Sequence, residues 1–321
     1  MHRIDKDQQK RRRENEKIRL KLLAAQSASE AIIRQEELFH AITSIYQEDP
    51  IYIAWEDVKN ELAPSQPIFS ATEEEAAKNK LEHFRPSWFD KIIGYSRKVK
   101  KLKKEIIQSA ANDQKRYADA LKEHEQYLEE WKILQRISEG VLARKPDFYE
   151  AATDYFQLFA DTAGLGSGLS MVFNKASATA DLHVFGTDLI PGYILSKTAG
   201  GKLSRKNMPN SKLNHLYQDY VCSATLRVAR DILGLLPLDG LVVNAMSNRL
   251  NTATGKIENQ ILLSVLFYPH ILNELNFDAI KPVDAMRNFL HHMKCTQSVG
   301  FAPVEKIDVD TIRQPDNRKA K

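Results

Sequence analysis

FADTAGLGSGLSMVF, residues 159–173, decides how the chain is to be read. A glycine-rich loop that cradles a phosphate needs a strand before it and a helix after it, because the anion sits on free N–H groups at a helix N-terminus. Here the order is reversed. The helical pattern FYEAATDYFQLFADTA precedes the glycines and LSMVFN follows them. Gly164 is therefore expected to close a helix in the left-handed conformation, and the residues after it to lead into a strand. No GK[ST] follows, and Gly166, Ser167 and Gly168 do not form the G-x-S-x-G of a nucleophile elbow. The stretch reads as a corner where helical periodicity gives way to extended structure.

Upstream of this corner the chain is helical. From about Gln8 to Ile45 there is neither Gly nor Pro, and Ile18, Leu22, Ala25, Ala28, Ile32, Phe39 and Ile42 recur at spacings of three, four or seven, one apolar seam. Pro50 ends that helix, YIAWEDVKNEL makes a short one, and Pro64 and Pro67 open a loop. A second long helix is expected from Pro86 to about Glu139. Its seam runs through Trp88, Ile92, Tyr95, Val99, Leu102, Ile106, Ala110, Tyr117, Leu121, Leu128 and Trp131, with a register skip after Ile106. Some 50 helical residues span roughly 75 Å, too long for a compact domain to cover. The seam must meet another helix, and the first long helix is the nearest candidate, either as a hairpin in cis or as a coiled coil between chains.

Downstream of the corner the period approaches two. SGLSMVFN and ADLHVFGTDLIP read as strands, GYILSKTAGGKLSRKNMP as a hairpin turning at Gly200 and Gly201, and SKLNHLYQDYVCSATLRVARDILGLLP as a helix stopped by Pro237. DGLVVNAMSNRL and NQILLSVLFY form a second hairpin, and two short helices at about 269–276 and 282–293 follow. The expected fold class is α+β: a long N-terminal helical hairpin or coiled coil, then a mostly antiparallel sheet with packed helices. The domains expected are 1–146, a long-helix region broken near 48–86; 147–310, the globular α+β part; and 311–321, a polar basic tail.

The 46 basic and 42 acidic residues, 28 against 27 up to residue 150 and 18 against 15 beyond it, make neither half a polycation. Nucleic acid can therefore be argued only from local clusters. Cys222 and Cys295 alone provide neither a disulfide framework nor a zinc-binding CxxC. No apolar run reaches the roughly 18 residues of a membrane span, and a cytoplasmic protein with no membrane partner is expected. No cofactor is implied.

The sharpest local feature is RKVKKLKK, where Arg97, Lys98, Lys100, Lys101, Lys103 and Lys104 crowd eight positions without an acid. On a helix they leave only Val99 and Leu102 for the seam. Such a sleeve binds either phosphates or acids of a neighbouring helix, for example Glu36, Glu37 or Glu73–Glu75. KRRR at 10–13 and RKAK at the tail add cations at the ends. Arg205, Lys206 and Lys212 lie near an expected helix start, a candidate anion site or a plain polar loop. Asn244 and Asn248 share one side of a strand, lining a groove or facing solvent.

The candidate chemistry is thin. His215, Asp219 and Cys222 are residue types of a thiol triad, but seven residues along a helix separate His215 from Cys222 by about 10 Å. His291 and Cys295, at i and i+4 on an expected helix, supply two metal ligands where four are needed. Asp181, Asp188 and Asp239 fall at strand edges, yet no strand core carries an acid-x-Lys pair. His183, His215 and His270 remain as candidate acids or bases, and no catalytic set assembles. The sequence thus favours an assembly or interaction protein acting through its long helices, alone or with a partner protein, with a C-terminal α+β domain that binds a ligand or partner; the alternative is a nucleic-acid-binding component, of nuclease-like or defence type, using the basic helix face 97–104.

Overall fold

A computed structural model describes residues 26–86, 95–159, 165–251 and 254–308. Ile92 and Trp88 of the expected seam, Ile18, Leu22 and Ala25 of the first one, Gly164, the KRRR run and the basic tail lie outside these residues. The chain divides into two compact units, Ala54–Glu139 and Met1–Ile53 together with Gly140–Lys321. The architecture is α+β, with a long helix and a mostly antiparallel mixed sheet.

In the first of these units, short helices α2 (Trp55–Asn60) and α3 (Thr72–Glu82) precede the long helix α4 (Tyr95–Leu142). Between Tyr95 and Glu139 the sequence has no Gly or Pro, so nothing interrupts the hydrogen-bond ladder. The seam of α4 meets residues 58–86, which run back along it antiparallel. Gln135 donates to the Val58 carbonyl and Trp131 to that of Glu61, Phe69 packs edge-on against Tyr117 and Lys80 pairs with Glu105. Within this unit the seam of α4 thus has a partner in cis. The stretch that reads as a break in the pattern is itself the cis partner, because a mixture of short helix and extended chain carries no long periodic signal.

Asp113 fixes the register of this packing. Position 71, at the start of α3, is Ala and offers no side-chain cap. The Asp113 carboxylate replaces that cap, accepting the N–H of Glu73 at 3.3 Å and of Glu74 at 2.9 Å while also binding Arg116. These are two of the N–H groups that every helix start leaves unbonded.

The other unit gathers residues from both sides of the first. Residues 26–43 form α1, whose Ala28, Gln35 and Ile42, seven apart, are buried. This segment packs with the globular part, a boundary different from that expected at residue 146. The cause is specific polar docking. The Gln35 amide bonds the Tyr193 carbonyl and the Leu195 N–H, and Tyr46 N–H reaches Ser223.

After α5 (Pro146–Tyr155) come β1 (Gly168–Phe173) and β2 (Ser177–His183), then a separate ribbon of β3 (Tyr193–Lys197) and β4 (Leu203–Asn207). α6 (Asn210–Leu235) leads to the long hairpin β5 (Gly240–Asn251) and β6 (Lys256–Phe267). Short helices α7 (Pro269–Asn273) and α8 (Pro282–Ala285) precede β7 (Leu290–Thr296) and β8 (Gly300–Ala302). The main sheet has the order β1-β2-β5-β6-β7-β8, parallel only between β2 and β5. α5 ends at Tyr155 with Gln157 in the left-handed conformation (φ 47°), earlier than expected. At the corner itself, an added Cβ on Gly166 would stand 2.2 Å from the His183 carbonyl oxygen, so only Gly fits that approach.

The expected helix at 282–293 is corrected: it stops by Asn288, and residues 290–296 form β7. The spacing of Leu290 and Met293 suits a helix, but antiparallel pairing of Leu290–Met293 with Leu263–Leu266 prevails.

Candidate nucleic-acid interface

Arg97, Lys98, Lys100, Lys101, Lys103 and Lys104 are all exposed on α4, while Val99 and Leu102 between them are half-buried. At about 100° per residue, Arg97, Lys100, Lys101 and Lys104 cluster within about 60° of the direction opposite the seam of Val99, Leu102 and Ile106. Lys98 and Lys103 flank them. Among the described residues, Arg97, Lys100, Lys101, Lys103 and Lys104 make no ion pair. Of the acids expected as their partners, Glu73 pairs with Arg116 and bonds Asn112, and Glu74 pairs with Lys78. Lys80 holds the Glu105 carboxyl below its ordinary range. Lys115 and Lys122 continue the same side of α4, but Lys115 stands in a shallow groove shared with Glu73, Asp119 and Glu123, where charge is mixed. The unbalanced charge is therefore confined to about two turns near the Tyr95 end.

The remaining seam residues, Leu121, Leu128 and Trp131, are half-buried like Ile106.

Arg205 and Lys206 lie on β4 and Lys212 in the first turn of α6, all exposed. The Arg205 guanidinium stacks over the Tyr193 ring, 3.6 Å from its centroid.

The cysteines and histidines do not assemble a site. Cys222 is fully buried with its sulfur 3.9 Å from that of Met293, and burial drives its thiol pKa well up, whereas His215 contacts Asp219 at 3.5 Å. Because β7 is a strand, His291 and Cys295 stand roughly 13 Å apart along it instead of one helical turn. Burial raises the Cys295 thiol to about 11. No group of three or more potential metal ligands occurs among the described residues.

The sheet holds a polar row that the sequence reading misses. Strand register aligns Ser170, Asp181, Asn244, Ser264 and His292 across five strands. Asn244 donates to Asp181 at 2.7 Å, and Ser264 donates to the Asn244 carbonyl oxygen at 2.6 Å. The segment 303–308 crosses this face. Ile307 N–H donates to Ser264, Lys306 pairs with Asp181 at 2.7 Å, and His292 bonds the Glu305 carbonyl. Asn244 is thus buried, not part of an open stripe, while Asn248 is exposed. Asp181 lies inside the sheet and not at its edge, and its Lys partner comes from the far end of the chain. Asn244 and Ser264 each interrupt an apolar run, which was the available signal; only the register shows that they meet each other and Asp181.

Comparison with protein-family models, with curated proteins and with solved structures finds no match to this chain. No described helix is long and apolar enough to cross a membrane.

Proposed function

We propose that the chain binds a polyanion of the nucleic-acid backbone type through the basic end of α4. The observation that supports this reading is that Arg97, Lys100, Lys101, Lys103 and Lys104 are exposed and make no ion pair among the described residues, although acids stand on the neighbouring α3. Side chains of this kind neutralise phosphates and release counterions without reading sequence. The expected affinity is micromolar and salt-sensitive. The test is fluorescence anisotropy of a labelled DNA duplex and of single-stranded RNA with the full chain, comparing wild type with Lys100→Glu, Lys101→Glu, Lys103→Glu and Lys104→Glu combined. Loss of binding in a variant of unchanged helicity supports the reading; unchanged affinity refutes it.

A second reading, assembly through the long helix, draws support from Val99, Leu102, Ile106, Leu121, Leu128 and Trp131, which residues 58–86 leave half-buried. It predicts a salt-resistant oligomer in light scattering that Leu102→Lys with Ile106→Lys dissociates. A monomer at all salt concentrations removes it.

A further inference from the structure

We propose that the β3–β4 ribbon is a second nucleic-acid contact, one that docks in the major groove of a B-form duplex. It lies in the other compact unit and rests on different residues from the α4 reading, though both require a nucleic-acid ligand.

The first observation is charge. From Leu189 to Gln218, thirty residues contain Lys197, Lys202, Arg205, Lys206 and Lys212 and no Asp or Glu. The chain elsewhere balances basic and acidic residues closely, so an acid-free run of this length around one hairpin concentrates positive potential there.

The second is shape. β3 and β4 pair only with each other, in register from Tyr193↔Asn207 to Lys197↔Leu203, and take no part in the main sheet. Gln35 occupies the backbone edge of β3, while the turn residues 198–200 and Lys202 are exposed. Five residues per strand make a ribbon about 17 Å long, and a two-stranded ribbon fits the roughly 12 Å width of the B-DNA major groove.

The third is the distribution of side chains. By the pairing register, Lys197 and Arg205 share one face with Tyr193, and Lys206 shares the other with Ser196 and Ser204. Continued alternation puts Lys202 on the Lys206 face. Both faces thus carry cations, as a ribbon between two phosphate walls requires, and the serine hydroxyls provide groups that can donate to or accept from base edges. Lys197 is tethered to Ser29 and Arg205 is held flat over Tyr193, which limits the entropy lost on ordering them.

Duplex DNA fits better than other polyanions. Residues 194–216 contain no Phe, Tyr or Trp, and the Tyr193 ring is covered by Arg205, so the ribbon offers no free platform for unstacked bases. The major groove of an RNA duplex is too deep and narrow for it. Of its large apolar side chains, Leu203 is the exposed one, which is too little to enter a lipid surface.

The test uses the full chain and a labelled 20-base-pair DNA duplex, with anisotropy read at several salt concentrations. Combining Lys202→Glu, Arg205→Glu and Lys206→Glu should weaken binding at least tenfold and lower the salt slope by about 3. Methyl green, a major-groove ligand, should compete, and the minor-groove ligand netropsin should not. If the ribbon variant binds like wild type while the α4 variant does not, the ribbon proposal falls and the α4 reading stands. The converse result retires α4 and keeps the ribbon. Equal binding to single strands or to anionic phosphatidylserine vesicles, or competition by netropsin alone, overturns groove docking, and a wild type that binds no duplex overturns both.

Discussion

Replacing Asp113 with Ala should loosen α3 from α4, and the size of the effect follows from its bonds. The carboxylate is 1% exposed and accepts two helix-start N–H groups besides binding Arg116. Its loss leaves both donors without an acceptor at a helix start whose own cap position is Ala. Losing a cap costs about 1 kcal/mol, and leaving a further donor unsatisfied costs about as much again, so Asp113→Ala should cost about 2 kcal/mol. Asp113→Asn keeps an oxygen acceptor while losing the charge, and should cost about 1 kcal/mol. All three tryptophans, Trp55, Trp88 and Trp131, fall within Ala54–Glu139, so selectively excited tryptophan fluorescence follows the urea denaturation of this unit. Hydrogen exchange across residues 70–82 should accelerate in the same order. The reasoning is refuted if Asp113→Ala unfolds at the wild-type midpoint, or if Asn is as damaging as Ala, since either result means the carboxylate does not work as a cap.

Asn244→Asp puts a second carboxylate against Asp181 inside the sheet and removes the donor between them; thermal melts should show a loss above about 3 kcal/mol, larger than for Asn244→Ala. Burial pushes the Asp231 carboxyl from 3.8 up to about 6 against the pull of Arg227, and its Oδ1 has no hydrogen-bond partner. Folding therefore favours the protonated acid, a contribution complete below pH 3.8 and lost as pH rises through about 6. Relative to Asp231→Asn, the wild type should lose about 2–3 kcal/mol of stability between pH 4 and pH 7; a difference constant over that range contradicts the assignment. Lys80→Ala, which breaks an exposed pair with Glu105, should leave the urea midpoint unchanged.

What the sequence made legible follows the strength of periodicity. The absence of Gly and Pro over residues 95–139 announces α4, and the alternating runs around residues 240–267 announce the long hairpin. The glycine run announces the change to extended chain that begins with β1 at Gly168, although α5 already ends at Tyr155. Residues 58–86 defeat the reading, since their packing depends on single contacts such as Asp113 with α3 and Trp131 with Glu61. β7 defeats it for another reason: Leu290 and Met293 fit two periods, and only pairing with β6 decides between them. The cations of 97–104 are visible as a cluster, but whether acids neutralise them is a three-dimensional fact. The polar row stays hidden because Asp181, Asn244 and Ser264 lie far apart in the sequence on three different strands, and only register aligns them.

The most direct test of the central claim is the dependence of duplex-DNA affinity on salt, measured by anisotropy for wild type and for the combined Lys100→Glu, Lys101→Glu, Lys103→Glu and Lys104→Glu variant. Four phosphates neutralised by these residues contribute a slope of about −3.6 in log K against log salt, equivalent to about a 150-fold loss over a fourfold rise in salt. The account predicts that the variant binds more weakly and that its slope is shallower by about that amount. Parallel lines of equal affinity for the two proteins would show that α4 carries its cations for solvent alone.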